Sequence, residues 1–330
     1  MKLGYLTGFS EDECRTASRI GYDCLEVSSG WDLAQLGKKA YRKAEAQKVR
    51  ALLERYNLSI SALAVYWAIP KGTGPRVVAY KNYIQFCTEL GVGVITALTQ
   101  CDPAKGLDEN VADWAAVFSK VAPVAEDAGI KIAFENWPGL RGDFPPVGTI
   151  NFAFNPTAWE KMFEKVSSPA LGLEFDPSHL VWQGIDWAAQ LRHWMARVHH
   201  VHAKDTEIFK DRLEARGFFS SGWWRYRLPG YGCVDWHKLT SILKEKGYKG
   251  AICLEHEDGI FLGERRVRGW RRPTPRSSRW SEECGSGNVE LGMNGHGRRW
   301  QPGVPFIPRA RARARAPARL GRCAVSSLQP

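Results

Sequence analysis

The chain runs to 330 residues with 44% apolar side chains, enough for one barrel or two smaller domains around a large core. No run of about 18 apolar residues occurs, which excludes a transmembrane helix, and Met1-Lys2-Leu3-Gly4-Tyr5 leads straight into a strand pattern without a basic, apolar leader, which points to a cytoplasmic protein. The net charge of +11 invites a polyanion partner, yet residues 263–330 hold 15 Arg and 4 Glu with no Lys or Asp, and the preceding 262 residues balance 31 basic against 31 acidic groups, so the body of the chain gives no electrostatic sign of nucleic acid.

In chain order, short β-branched runs alternate with longer amphipathic stretches. Strands are predicted over 2–6, 24–28, 60–66, 93–98, 131–135, 171–176, 198–203 and 251–255, and helices over about 10–20, 41–56, 75–90, 108–128, 156–166, 179–195 and 235–246. Ser10 before Glu11-Asp12-Glu13, and Asn155 before Pro156, are good helix starts, while Gly91, Gly129 and Gly247 sit where helices should stop. Eight strands alternating with helices predict a (βα)8 TIM barrel. A doubly wound sheet would call for a glycine-rich first turn, which Leu6-Thr7-Gly8-Phe9 lacks. The cysteines at 14, 24, 87, 101, 233, 253, 284 and 323 form no CxxC pair and no zinc or disulfide spacing, as expected of reduced thiols.

The barrel reading covers residues 1–262 as a catalytic domain. Beyond it the text turns Arg-, Gly-, Pro- and Ser-rich, with Arg309-Ala310-Arg311-Ala312-Arg313 and no apolar period of 3.6, so the last barrel helix is expected to be missing or degraded and residues 263–330 to form a disordered basic tail. Alternating Arg-Ala with stray Trp and Cys is also what a shifted reading frame over GC-rich codons gives, the explanation favoured over a tail that binds something anionic.

Four polar residues end consecutive predicted strands: Glu135 after Ile132-Ala133-Phe134, Asp176 after Leu173-Glu174-Phe175, His202 after Val198-His199-His200-Val201, and Glu255 after Ile252-Cys253-Leu254. That rim is where barrel enzymes place their chemistry. Three carboxylates and one imidazole suit one hard or borderline divalent cation, Mn²⁺ first, with Mg²⁺ or Co²⁺ as alternatives; an all-protein zinc site would more often use Cys or several His.

With Phe134-Glu135-Asn136, Asp176-Pro177-Ser178-His179, Val201-His202-Ala203-Lys204-Asp205, Leu254-Glu255-His256 and Arg227-Leu228-Pro229-Gly230-Tyr231-Gly232-Cys233-Val234-Asp235-Trp236 in view, the chain resembles the xylose-isomerase-like sugar phosphate isomerase/epimerase superfamily. The resemblance implies a (βα)8 barrel, a metal held by Glu135, Asp176, His202 and Glu255, and Glu135 and Glu255 as the acid/base pair on opposite faces of the substrate. It also implies a sugar or sugar derivative as partner and His179 as a substrate contact. Three features depart from the ketose epimerases of that group: Arg141 stands where they carry a second glutamate, Ile208 where they carry an arginine, and the stretch 206–234 is long and aromatic, with Phe218, Phe219, Trp223, Trp224, Tyr226 and Tyr231.

Other residues have two readings each. Trp67 and Trp137 can stack on a sugar face or pack a loop. Lys204 can bind a substrate oxygen or phosphate, or pair with Asp205 at the surface. Glu26 can reach the substrate or balance the rim charge, and Arg227 lies in the loop expected over the rim. His200 shares strand parity with His202 one layer deeper, while His199 and His256 have the opposite parity and should be structural. The activity expected first is a metal-dependent sugar isomerase or epimerase, working by proton transfer next to a metal-bound carbonyl through an enediolate. The alternative is a lyase on the same scaffold, dehydrating a keto-sugar or inosose or cleaving a 3-oxo-glycoside. An abasic-site endonuclease and an inactive relative rank below these, no membrane partner is expected, and homo-oligomerisation is left open.

Overall fold

The computed structural model describes residues 1–140 and 149–261; the expectations for the stretch after 262 and for Arg141 lie outside the described residues. Eight parallel strands close into a barrel: β1 (Lys2–Gly8), β2 (Cys24–Ser28), β3 (Ser59–Ala64), β4 (Val94–Ala97), β5 (Lys131–Glu135), β6 (Leu171–Phe175), β7 (Val198–Ala203) and β10 (Ala251–Leu254), with β10 pairing back onto β1. Helices α1 (Glu11–Ile20), α2 (Leu33–Leu36), α3 (Lys39–Tyr56), α4 (Thr73–Leu90), α5 (Leu107–Asp127), α6 (Pro156–Lys165), α7 (Pro177–Trp182), α8 (Trp187–Trp194) and α10 (Trp236–Glu245) connect them. A hairpin, β8 (Asp205–Ile208) with β9 (Trp224–Arg227), carries the short helix α9 (Lys210–Arg216) between its strands.

Local chemistry explains the boundaries. Ser10 accepts from Glu13 N–H and Asn155 from Ala158 N–H, closing the first turns of α1 and α6. Gly91 and Gly247, with φ of 77° and 74°, end α4 and α10 in the left-handed region that a side chain disfavours. The predicted helix over 179–195 is two helices. Gly184 turns the chain at φ 72°, and Asp186 caps a fresh start by accepting from Ala188 and Ala189 N–H. Aromatic packing holds the helices to the barrel: Trp114, Phe118 and Phe134 interlock on the α5 side at centroid separations of 4.9–5.5 Å, and Trp114 and Phe134 are essentially buried. Side chains of this size contribute about 1.5–3 kcal/mol each on burial.

Two ladder irregularities matter for function. Register shifts fall between Leu25 and Glu26 on β2 and between Leu173 and Glu174 on β6. Such irregularities re-aim side chains, and both sit beside a buried glutamate of the barrel interior. The long aromatic segment expected over 206–234 is the hairpin, and it is anchored by one carboxylate. Asp205 Oδ1 accepts from Thr206 and Val234 N–H and its Oδ2 from Gly230 N–H and Trp236 Nε1–H, at 2.8–3.0 Å. A Cβ at Gly232 would stand 2.2 Å from Asp205 Oδ1, so the Pro-Gly-x-Gly turn closes on that carboxylate only with glycine there. Lys204 and Asp205, weighed at the sequence level as a surface pair, are both buried and do not pair with each other.

Candidate functional site

The C-terminal ends of β5, β6, β7 and β10 bring Glu135, Asp176, His202 and Glu255 together, with one ligand atom from each within 4.8 Å of the others. His202 Nδ1 lies 3.4 Å from Glu135 Oε1, 3.2 Å from Glu255 Oε2 and 4.0 Å from Asp176 Oδ2. Asp176 is divided: Oδ1 caps α7 by accepting from Ser178 N–H at 2.8 Å, which aims Oδ2 at the centre of the group. Among the described residues, Asp176 Oδ2, His202 Nδ1 and His179 Nε2 are buried polar atoms without a hydrogen-bond partner. Buried polar atoms are rarely left so, and here they converge on one point. The donor set and these open atoms fit a divalent cation held by Glu135, Asp176, His202 and Glu255.

A second layer lies beneath and explains how His202 is held. Its Nε2 is 2.8 Å from Glu26 Oε2 and 3.1 Å from Glu174 Oε1. His200 Nδ1 bonds Glu174 Oε1 at 2.8 Å, Thr96 Oγ1 donates to Glu26 Oε1 at 2.7 Å, and the Tyr66 hydroxyl lies 3.0 Å from Glu26 Oε1 and 2.6 Å from Glu174 Oε2. Glu26, Glu174, His200 and His202 could by spacing hold an ion themselves. Each of their carboxylate oxygens already has a protein donor, so this layer is closed, and it presents His202 with Nδ1 free upward. A carboxylate fixing the far nitrogen of an imidazole is the usual support of a metal-binding histidine. Glu26 therefore sits under His202, fully buried, rather than at the substrate level where the sequence suggested it.

Lys204 bridges the acids of the upper layer. Its Nζ is 2.5 Å from Glu255 Oε2, 2.9 Å from Glu257 Oε2 and 3.3 Å from Asp176 Oδ2, and 4.6 Å above the Tyr226 ring. Burial opposes its charge, but Glu255, Asp176 and Glu257 hold its pKa well above the usual lysine value. His202 behaves alike: burial disfavours the cation, and Glu174, Glu26 and Glu255 more than restore it. Burial and then the Glu255 charge push Glu135 up to about 8, and burial, partly offset by Lys204, lifts Asp176 to about 6. His179 is held well below the ordinary histidine value by burial and by Lys204.

These directions predict how metal affinity depends on pH. A carboxylate with a raised pKa keeps its proton near neutrality, and a cation has to displace it. Divalent-cation affinity is thus expected to rise by up to about tenfold per pH unit between pH 6 and 7.5, because Glu135 loses its proton on binding. Isothermal titration at several pH values measures this; an affinity flat across that window contradicts the assignment of Glu135.

The other predicted residues are placed as follows. Trp67, 71% exposed, meets Trp137 edge to face at 5.8 Å on the rim. His179 lies with Nε2 3.3 Å from Asp176 Oδ2 and 3.5 Å from Glu135 Oε1. Arg227 is not free to meet a ligand: its Nε donates to Asp258 Oδ2 at 2.9 Å and Nη1 to Glu207. His200 is one layer below His202, and His199, at the register shift between β6 and β7, packs against Gly172. Ile208 pairs with Trp224 in the hairpin. The sequence did not single out Glu174, Tyr66, Thr96 or Glu257, and it marked Tyr226 only as one of the aromatics of the 206–234 stretch. Glu174 was readable, since it shares strand parity with Asp176 two residues on; the others carry no such signal.

A family model described as xylose isomerase-like TIM barrel matches residues 14–284, running past residue 262. The uncharacterized protein YfiH of Bacillus subtilis (strain 168) is 27% identical, over 81% of this chain and 96% of that protein. An inosose dehydratase of Clostridium beijerinckii is 26% identical, over 69% of this chain and 78% of that protein. Among solved structures, the IOLI protein with a binding zinc atom superposes with a TM-score of 0.59 at 20% identity, over 82% of this chain and 95% of that one. D-psicose 3-epimerase in the presence of D-fructose superposes with a TM-score of 0.55 at 15% identity, over 77% and 84%.

Proposed function

Because the chain belongs to the xylose isomerase-like TIM-barrel family, we propose that it is a divalent-metal-dependent isomerase or epimerase of a sugar or sugar-like ketone, with Mn²⁺ held by Glu135, Asp176, His202 and Glu255. The observation that carries this reading is the convergence of the open Asp176 Oδ2 and His202 Nδ1 with two further carboxylates at the rim. When bound, the cation supplies Lewis-acid polarisation of the substrate carbonyl.

The rest is done by the chain. One of Glu135 and Glu255 takes the proton from the carbon beside the carbonyl; the C–H electron pair moves into an enediolate, and the other glutamate returns a proton to the opposite face. His179 and Lys204 hold substrate oxygens, and Trp67 with Trp137 offers an aromatic face to the sugar. The balanced charge of the first 262 residues favours a small molecule over nucleic acid.

A dehydratase is the second reading. It is favoured by the relative named inosose dehydratase and by the Lys204–Glu257 pair, whose glutamate is 45% exposed at the site. In that reaction the same proton is removed, the carbon–carbon double bond forms, and a β-hydroxyl leaves as water with a proton from the Lys204–Glu257 pair.

One assay separates the two. The Mn²⁺-loaded protein is incubated in deuterated water with D-fructose, D-tagatose, D-allulose and an inosose, and products are read by NMR and ultraviolet absorbance. Epimer carrying deuterium beside the carbonyl supports the isomerase reading, and an unsaturated product transfers the assignment to the dehydratase. Absence of exchange with every ketone tested contradicts proton transfer on this substrate class.

A further inference from the structure

Tyr226 takes no part in the proposed proton transfer, yet it touches two groups that do, His179 and Lys204. It comes from β9, and its hydroxyl lies 2.9 Å from His179 Nδ1, the two rings meeting edge to face at 5.3 Å. A phenol proton that is half-buried needs an acceptor, and His179 Nδ1 lies within hydrogen-bond distance and can accept it, so we assign the hydroxyl as the donor of this pair. An imidazole that accepts at Nδ1 carries its proton on Nε2.

The surroundings of Nε2 agree. It faces Asp176 Oδ2 at 3.3 Å and Glu135 Oε1 at 3.5 Å, both acceptors once a bound cation has displaced the Glu135 proton, and makes no aligned hydrogen bond to either. The opposite tautomer would turn the Nε2 lone pair toward two carboxylates and leave the phenol proton without its acceptor. The hairpin is held in register to do this: Trp224 stacks flat on Trp182 of α7 at 4.8 Å, and Thr206 Oγ1 donates to Ser178 O at 2.8 Å. β8 and β9 are thus clamped to the helix that carries His179.

We propose that Tyr226 is a positioning residue that fixes His179 as the Nε2–H tautomer, directing that N–H into the space bounded by Glu135 and Asp176 as the donor to the substrate oxygen that gains charge when the adjacent carbon loses its proton. The donor role rests on the proton-transfer reading above; the tautomer does not.

The test labels histidine with ¹⁵N in the full chain loaded with Mg²⁺ and reads each ring by long-range proton–nitrogen correlation, assigning His179 by its loss in His179→Gln. The wild type is expected to show His179 as Nε2–H, and Tyr226→Phe, which keeps the ring under Lys204, is expected to move it toward an Nδ1–H mixture. With a ketone that exchanges, Tyr226→Phe should lower kcat by about tenfold with KM changed by less than about twofold, and should have no further effect in a His179→Gln background. A wild-type His179 protonated on Nδ1 or on both nitrogens overturns the proposal, as does an unchanged His179 spectrum in Tyr226→Phe or full additivity of the two substitutions. If no ketone exchanges, the proton-transfer reading falls, and the spectra still decide the tautomer.

Discussion

Glu135→Gln and Glu255→Gln are each expected to lower turnover by about 10²–10⁴-fold, the range for loss of a positioned proton-transfer group. The two losses should also differ in kind. In a two-base mechanism each glutamate serves one face of the substrate carbon, so each variant should still exchange solvent deuterium into the one epimer whose proton its remaining glutamate removes. The amide keeps the volume of the side chain and can still approach a cation through its carbonyl oxygen, so the fold should hold. Lys204 lies 2.5 Å from Glu255 Oε2 and has Glu257 and Asp176 as further partners, which keeps it paired when the Glu255 charge is removed. Steady-state rates and per-epimer exchange measure the effect. A variant at either position retaining more than about a tenth of the wild-type rate contradicts the acid/base assignment.

The second large effect is expected from a residue that meets neither substrate nor cation. Glu26→Gln should weaken Mn²⁺ binding by about 10–100-fold, as loss of the support beneath a ligating histidine typically does. The reason is geometric. Glu26 accepts from Thr96 Oγ1 on one oxygen and faces His202 Nε2 on the other. An amide can accept on only one side, so its NH₂ must face either the Thr96 hydroxyl or the His202 N–H. The Thr96 hydroxyl can rotate to accept from that NH₂, so what the layer loses is the carboxylate charge facing the His202 N–H, and a neutral amide oxygen holds His202 with Nδ1 toward the rim less firmly. Mn²⁺ titration of the variant at fixed pH checks this; an unchanged affinity would show that His202 is oriented without Glu26.

Much of this arrangement was legible in the sequence, for physical reasons that also mark where legibility ends. Barrel strands are short and buried on both faces, so runs such as Lys131–Glu135 and Val198–Ala203 stand out and were read with the observed bounds. The convergence of Glu135, Asp176, His202 and Glu255 could be read because a polar residue at the end of an apolar strand is costly unless it has work at the rim. Depth was harder. Glu26 is an acid in an apolar strand as Glu135 is, but it lies at the middle of β2, and only the register shift beside it and its bonds to Thr96 and His202 reveal a supporting place. Lys204 and Asp205 look like a surface pair in the text because sequence carries no burial, whereas the barrel and the Pro-Gly-x-Gly turn enclose both. The hairpin was invisible for a different reason. Its strands have four residues each, too few for alternation to be recognised, and long-range contacts such as Trp182 on Trp224 hold it in place.

The central claim is that one divalent cation sits between Glu135, Asp176, His202 and Glu255 and that the two glutamates face each other across a substrate carbon. The most direct measurement is a crystal structure of the Mn²⁺-soaked protein with a bound ketose, the cation located by its anomalous signal. The account predicts a single peak ligated by His202 Nδ1, Asp176 Oδ2, Glu135 and Glu255, with the carbon beside the sugar carbonyl between the two glutamates. A peak elsewhere, or both glutamates on the same side of that carbon, would contradict it.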